Sequence, residues 1–141
     1  MRSLVKYDRS IDAWLISGQD VTLRSREDVT AWRARLWREL DRLGGEKAVL
    51  VLDLDGFEVE IGARDAYGAM ESEMLERYAL ALLRFGEPEG FTRTVILLES
   101  EKRGLPRDIY ASRAAVVRAL TSLRQHAALV AANDESAPLA P

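Results

Sequence analysis

Apolar and polar positions fall into three kinds of pattern along this chain, and each predicts a different element. Leu4 to Asp8 and Ile11 to Ile16 are short strand-like runs, and Asp8-Arg9-Ser10 between them has turn chemistry, so the pair predicts a β-hairpin. A second polar turn, Ser17-Gly18-Gln19-Asp20, leads to Val21-Thr22-Leu23, which can extend the sheet. Helical spacing then takes over. Val29, Trp32, Leu36, Leu40 and Leu43 recur at intervals of three and four, Ser25 precedes them as a cap, and Glu27 and Asp28 sit in the first turn against the positive end of the dipole. Gly44-Gly45 stops this helix. Ala48-Val49-Leu50-Val51-Leu52 is continuous rather than alternating, the pattern of a strand covered on both faces in a parallel sheet.

The second half reads in the same way. Met70, Met74, Tyr78 and Leu82 are spaced four apart and Phe85 three further on, which predicts a helix from Asp65 to Phe85 ended by Gly86 and Pro88. Gly68 is an unfavourable residue near its start. Thr94 to Leu98 predicts another strand, Lys102-Arg103-Gly104-Leu105-Pro106 a basic loop, and Asp108-Ile109-Tyr110 a short last strand. Ser112 caps a final helix with Val116, Leu120, Leu123, Ala127 and Val130 on one side. Two of the four prolines fall in the last four residues, so the expected organisation is one domain over 1–132 and an unstructured tail from Asn133 to Pro141. Helices between apolar strands imply right-handed crossovers, and the fold class is α/β with a mixed, mostly parallel sheet.

Composition narrows the function. The 141 residues suit one domain, 48% apolar and 30% charged. Cysteine is absent, which removes disulfides, thiolate metal sites and thiol nucleophiles, and His126 is the one histidine, so no metal ligand set and no cofactor is expected. The longest apolar run, Ala127 to Ala132, is far too short to cross a bilayer, and Met1 to Lys6 lacks the pattern of a signal peptide, so a cytoplasmic location is expected with no membrane partner. A net charge of −3 argues against general nucleic-acid binding. Charge is nevertheless segregated. Eight acidic residues against one basic lie between Asp53 and Glu76, whereas Lys102 to Arg124 holds six basic residues against one acidic. Two readings follow: an acidic docking surface that steers a basic partner, or solvated charges that pair within the fold.

Val51-Leu52-Asp53-Leu54-Asp55-Gly56-Phe57 carries the candidate chemistry, and it resembles two families. An apolar strand ending in Asp-x-Asp-Gly resembles the haloacid-dehalogenase-type phosphatases. That resemblance implies Asp53 as nucleophile and Asp55 as general acid beside Mg²⁺, with Ser100 at the end of a second strand and Lys102 as the phosphate-binding lysine. The later acidic motif that would complete the metal site has no counterpart after Ser100 other than Asp134-Glu135 in the tail.

The second resemblance spans roughly Leu4 to Leu129. A hairpin, a helix, an apolar strand ending in Asp-Leu, a loop, a helix, a strand and a last helix introduced by Ile109-Tyr110-Ala111-Ser112 are similar to the STAS domain, the fold of bacterial anti-sigma-factor antagonists. The resemblance implies a non-catalytic signalling module that binds another protein through the loop after the Asp-Leu strand and the start of the next helix. The implied partner-binding residues are Asp55, Gly56, Glu58, Glu60, Gly62, Arg64, Asp65 and Tyr67, docking against a protein with a basic surface, in a monomer or weak homodimer. One departure matters. The family's phosphorylated Ser should lie in this loop, and Phe57 to Ala66 contains no Ser, Thr or Tyr. Glu58, Glu60 or Asp65 would have to imitate the phosphorylated state. A small apolar ligand or a nucleotide under the loops is a further alternative, although Gly44-Gly45 precedes a strand whereas a phosphate-binding loop follows one. Trp32, Trp37, Trp14, Met70 and Met74 are assigned to the core, and His126 to a helix-end position.

Overall fold

A computed structural model describes residues 3–136, with side chains described as far as residue 132. The expected hairpin is present as β1 (Val5–Asp8) and β2 (Ala13–Ser17), antiparallel, with Val5 opposite Ile16 and Asp8 opposite Ala13. Asp8 makes the turn, accepting from the Ser10 backbone N–H at 2.9 Å. The short β3 (Thr22–Leu23) follows, then α1 (Arg26–Leu40), capped as expected by Ser25, whose hydroxyl accepts from the Asp28 N–H at 3.2 Å. A 3₁₀ turn over Asp41–Leu43 ends at Gly44. β4 (Ala48–Asp53) lies parallel to β2, with Leu50 beside Trp14 and Asp53 beside Ser17.

The continuous apolar run of β4 is explained by what covers it. Leu50 and Leu52 point into one core with Trp32, Leu36, Trp37, Met70 and Met74 of the helices on that face. Val49 and Val51 point into a second core with Ile11, Ala13, Leu83, Phe85, Val116 and Leu120 on the other. Leu50, Val51 and Leu52 have no solvent-exposed surface at all, and each contributes about 1.5–3 kcal/mol by leaving water.

Three expectations for the middle of the chain are corrected. The second helix, α2 (Arg64–Arg77), stops eight residues before the Phe85 end anticipated from the spacing, and Ala79–Phe85 is the strand β6. Ala79–Phe85 pairs in parallel with β4, with Asp53 beside Phe85, and completes a four-stranded sheet in the order β1-β2-β4-β6. Alanine and leucine favour a helix locally, but β4 is buried on both faces and its second edge needs a hydrogen-bonding neighbour. The Thr94–Leu98 run is not a strand. It lies in α3 (Thr92–Arg103), whose buried residues Thr92, Val95, Ile96, Glu99 and Ser100 recur at helical spacing. Three of the five, Thr92, Glu99 and Ser100, are polar or charged, so a search for apolar letters alone misses the period. Finally, Lys102 and Arg103 belong to the last turn of α3 rather than to a loop, and Asp108-Ile109-Tyr110 contributes a single bridge, Tyr110 to Phe85.

β3 does not extend the main sheet. It pairs in parallel with β5 (Glu58–Val59) as a separate two-stranded sheet. Ser112 caps α4 (Arg113–Ser136), accepting from the Ala115 N–H at 3.2 Å. The helix runs through the Asn133 boundary expected for the tail, and 137–141 lie outside the described residues. Of its expected apolar side only Val116 and Leu120 are buried; Leu123, Ala127 and Val130 are exposed. Trp32 and Trp37 are core residues, as are Met70 and Met74, while Trp14 is half-buried and stacks edge-on against Tyr7. Among the described residues no helix is long and apolar enough to cross a membrane.

The element swap places a charged residue in the core. Arg84 of β6 is 1% exposed and Glu71 of α2 is fully buried. The Arg84 guanidinium donates to Glu71 Oε2 at 2.9 Å, to Ser100 Oγ of α3 at 3.1 Å and to the carbonyl of Pro106, while the Tyr67 hydroxyl donates to Glu71 Oε1 at 3.0 Å. Removing one member of a buried pair strands the other charge. Arg84→Met is therefore expected to cost about 3–5 kcal/mol of stability, and the double variant Arg84→Met/Glu71→Leu to recover a large part of that loss. Urea unfolding of both checks it. A double variant no more stable than the single one would show that the pair is not what couples these elements.

Candidate functional site

The parallel strands β2, β4 and β6 end on one side of the sheet, and the loops that leave them form the candidate surface. The turn after β4 is built by its own carboxylates. Asp53 Oδ1 accepts from the Asp55 N–H at 3.0 Å, and Asp55 Oδ1 accepts from the Glu87 N–H at 2.8 Å, tying the β4 loop to the β6 loop. Gly56 has φ +73°, the left-handed conformation that this turn requires and that residues with a Cβ seldom adopt. The Asp53 carbonyl accepts from the Gly18 N–H at 2.9 Å, so the β2 loop joins the same end.

Asp53 is half-buried, and burial pushes its carboxyl above the ordinary value, opposed by the Asp55 backbone N–H and assisted by the Asp55 carboxylate. Asp53, Asp55, Gln19, Asp20 and Gly56 line a depression of about 270 Å³. Ser100 and Lys102 are not part of it. Ser100 is buried and bound to Arg84, and Lys102 pairs with Asp65 at 3.6 Å. The grouping of Asp53, Asp55, Ser100 and Lys102 implied by the phosphatase resemblance is thus not brought together, because the segment anticipated as a strand is α3. Among the described residues no cluster of three or more acidic or histidine side chains is arranged to hold a metal ion.

The eight residues anticipated for partner binding separate into three groups. Asp55, Gly56, Glu58, Glu60 and Gly62 lie along one exposed or half-exposed stretch. Glu58 sits in β5 beside Thr22, and Glu60 pairs with Arg24 at 3.0 Å. Gly62 is fixed by packing, since a Cβ there would meet the Arg24 carbonyl at 2.7 Å. Arg64 and Asp65 form the second group, and α3 takes both. Arg64 pairs with Glu99 at 2.8 Å, and Asp65 with Arg103 at 2.9 Å. Glu99 has no exposed surface. Burial pushes its carboxyl up, yet hydrogen bonds from Arg64 and Arg103 and the nearby Lys102 and Arg103 charges outweigh this and hold it below the usual value. Gly68 is explained here, for a Cβ at that position would fall 2.3 Å from Glu99 Oε1. Tyr67 is the third group and is a correction. It is wholly buried, packs on Phe57 and donates to Glu71, so it presents nothing to a partner.

The acidic segment is therefore smaller as a surface than as a count. Glu60, Asp65, Glu71 and Glu73 each pair with an arginine inside the fold: Arg24, Arg103, Arg84 and Arg33. What persists on the surface is a groove of about 850 Å³ lined by Arg24, Glu58, Glu60, Ile61, Gly62, Gly90 and Phe91. Two of its residues carry no signal in the apolar spacing. Ile61 is 71% exposed and Phe91 is 75% exposed. A large apolar residue inside an acidic loop, outside any periodic run, is the clue that could have located them.

Because the folded Asp53 carboxyl holds its proton more tightly than the unfolded one, its contribution to stability declines as pH rises from the ordinary value of 3.8 through the higher folded value. Asp53→Asn keeps the oxygen that accepts from Asp55 and removes the buried charge. It is expected to raise the unfolding temperature modestly at neutral pH and to leave it unchanged at pH 3, read by thermal melts across pH. A lowered midpoint at neutral pH would mean that the Asp53 charge itself is stabilising. No family model matches the chain, and neither a curated protein nor a solved structure matches it.

Proposed function

We propose that this chain is a non-catalytic regulatory module of the STAS type that docks another protein through the groove between the β5 segment and the start of α3. The observation that carries the reading is the pair of exposed side chains Ile61 and Phe91, set in one groove with Glu58 and Glu60. Apolar anchors ringed by polar groups that exclude water are the usual energetic centre of a protein interface. Glu58 beside the anchors favours a partner whose apolar residue is flanked by Lys or Arg. Serine phosphorylation plays no part at this loop, since Phe57 to Ala66 offers no hydroxyl. Glu58 supplies fixed negative charge there instead, Glu60 being paired with Arg24 of the same groove.

The β4 end supports binding rather than turnover. Both Asp53 and Asp55 spend a carboxylate oxygen on a backbone N–H, which orders the loop and leaves each less free to attack or to transfer a proton. The small two-stranded sheet of β3 and β5 has the same consequence. It holds Glu58 and Val59 by hydrogen bonds from Glu58 N–H to the Val21 carbonyl and from Glu60 N–H to the Leu23 carbonyl, each 2.9 Å, so the groove is preorganised.

Capture from lysate with the wild type, beside Ile61→Ser/Phe91→Ser and Glu58→Lys/Glu60→Lys, identifies the partner as the protein lost with both variants. Affinity for that protein is expected to fall about 10-fold or more with the apolar variant and to weaken with added salt only while Glu58 and Glu60 are present. Equal capture by all three proteins would remove this surface from consideration. Phosphate release with Mg²⁺ that disappears in Asp53→Asn would replace the reading with the phosphatase alternative.

A further inference from the structure

The positive charge of this chain is not left over where the sequence concentrates it. In the Lys102 to Arg124 stretch, Lys102 and Arg103 pair with Asp65, Arg107 with Glu101, Arg113 with Asp8 and Arg124 with Asp12. On the flank of α1 beside β1 the balance is reversed. Positions 35, 38 and 42 are spaced by three and four, so Arg35, Arg38 and Arg42 share one side of α1 and of the 3₁₀ turn that prolongs it. Arg38 and Arg42 are exposed, and so is Lys6 of β1. None of the Lys6, Arg38 and Arg42 side chains makes a hydrogen bond or ion pair among the described residues. The acids of α1 are engaged instead. Glu39 accepts from the Leu4 and Val5 N–H groups at 3.0 and 3.1 Å, Asp28 from the Arg24 N–H at 2.8 Å, and Asp41 from the Tyr78 hydroxyl at 2.5 Å. A cavity of about 450 Å³ adjoins the stripe. Lys6 and Arg35 line it together with the aliphatic Leu4, Leu15 and Val21, and Asp20 is the one acidic residue of the lining.

We propose that this flank is a docking surface for an acidic peptide segment of another protein, one that carries an aliphatic side chain among its Asp and Glu residues. The aliphatic side chain enters the cavity against Leu4, Leu15 and Val21, and the neighbouring carboxylates lie on Lys6, Arg38 and Arg42. Charge is the first argument for this occupant. Lys6, Arg38 and Arg42 alone outnumber the acids of this surface, Asp20 in the lining and Glu39 between the arginines. A guanidinium presents its donors as a planar fork that matches a carboxylate, and here two such forks face solvent. The cavity is the second. Its lining is aliphatic and polar without an aromatic ring, so it suits a leucine-like side chain and offers no platform on which a nucleic-acid base could stack. The third is the charge of the whole chain. A net charge of −3 repels a long polyanion, whereas a short acidic segment sits within the screening length of about 8 Å of the cations it meets. The surface shares no residue with the groove at Ile61 and Phe91 and is opposite to it in sign. It does not rest on the function proposed above.

The test is fluorescence anisotropy of a labelled Glu-rich peptide with leucine at its centre, titrated with the full chain. Saturable binding that weakens with added salt is expected. Arg38→Glu/Arg42→Glu should raise the dissociation constant about 10-fold or more. Lys6→Glu, on a different element, should act in the same direction, and so should serine in place of the peptide's leucine. Arg26→Glu/Arg118→Glu makes the same change of net charge at two positions outside the stripe and should have little effect. All five substituted positions are exposed, so the fold should survive, as unchanged urea midpoints would verify. A peptide that does not bind overturns the proposal. So does equal weakening by the two double variants, the mark of attraction by net charge alone, or a serine peptide bound as tightly as the leucine peptide, which would leave the cavity out of the interface. A single-stranded oligonucleotide of the same charge that binds more tightly than the peptide, and is lost with Arg38→Glu/Arg42→Glu, would overturn the choice of occupant in favour of nucleic acid.

Discussion

The interior of this protein is organised around one ion pair. Arg84 and Glu71 are both withdrawn from water, and their hydrogen bonds reach β6, α2, α3 and the segment at Pro106 at the same time. A buried guanidinium has few acceptable arrangements, because its donors need acceptors in a fixed planar fork. Glu71, Ser100 and the Pro106 carbonyl supply them to the two terminal nitrogens from three directions, while Nε is buried without a partner among the described residues. The placement of α3 against α2 follows, and with it the second polar layer, where Glu99 receives Arg64 and Arg103 beside Gly68. Apolar packing alone tolerates sliding between helices. A hydrogen-bonded charge in the core does not, since a shifted register would leave it unsatisfied.

That arrangement decides what the surface can offer. Arg24 and arginines of α1, α3 and β6 take up half of the eight acidic residues between Asp53 and Glu76, so a segment that is strongly acidic in sequence is partly paired in space. The loop after β4 is similarly committed, through the two aspartates that hold its turns. The groove around Ile61 and Phe91 differs because its apolar side chains point outward from a framework fixed by β3 and β5. Rigid support beneath exposed anchors reduces the ordering cost of binding.

In the middle of the chain, β6 and α3 depart from their local patterns for one cause. Tyr78 to Phe85 carries both a helical spacing and an apolar run broken only by Arg84, and the local preference of alanine and leucine is for helix. The sheet made it a strand, because β4 lacked a partner on that edge. Once β6 was the strand, Thr92 to Arg103 was free to be a helix. Its inward positions include Glu99 and Ser100, whose burial depends on Arg64, Arg103 and Arg84 arriving from elsewhere. No local pattern announces such partners. Tyr67 departs from its expected role for a related reason. It lies in the segment that the family resemblance marks for binding, yet its ring packs on Phe57 and its hydroxyl completes the Glu71 site.

By itself the sequence determined the features set by near neighbours. These are the hairpin turned by Asp8, the Ser25 cap and three-four spacing of α1, the doubly covered run of β4, the Ser112 cap of α4 and the α/β class with its mixed, mostly parallel sheet. Each rests on a propensity, a cap or a periodicity that a few consecutive residues express. Tertiary structure alone decided that Ala79–Phe85 would be the edge strand, that Arg84 would be buried, that half of the acidic segment would be paired within the fold, and that Ile61, Phe91 and the end of α4 would be left outside. Those outcomes depend on contacts between residues far apart in the chain, where the need to satisfy a buried charge or a sheet edge outweighs what any local stretch prefers.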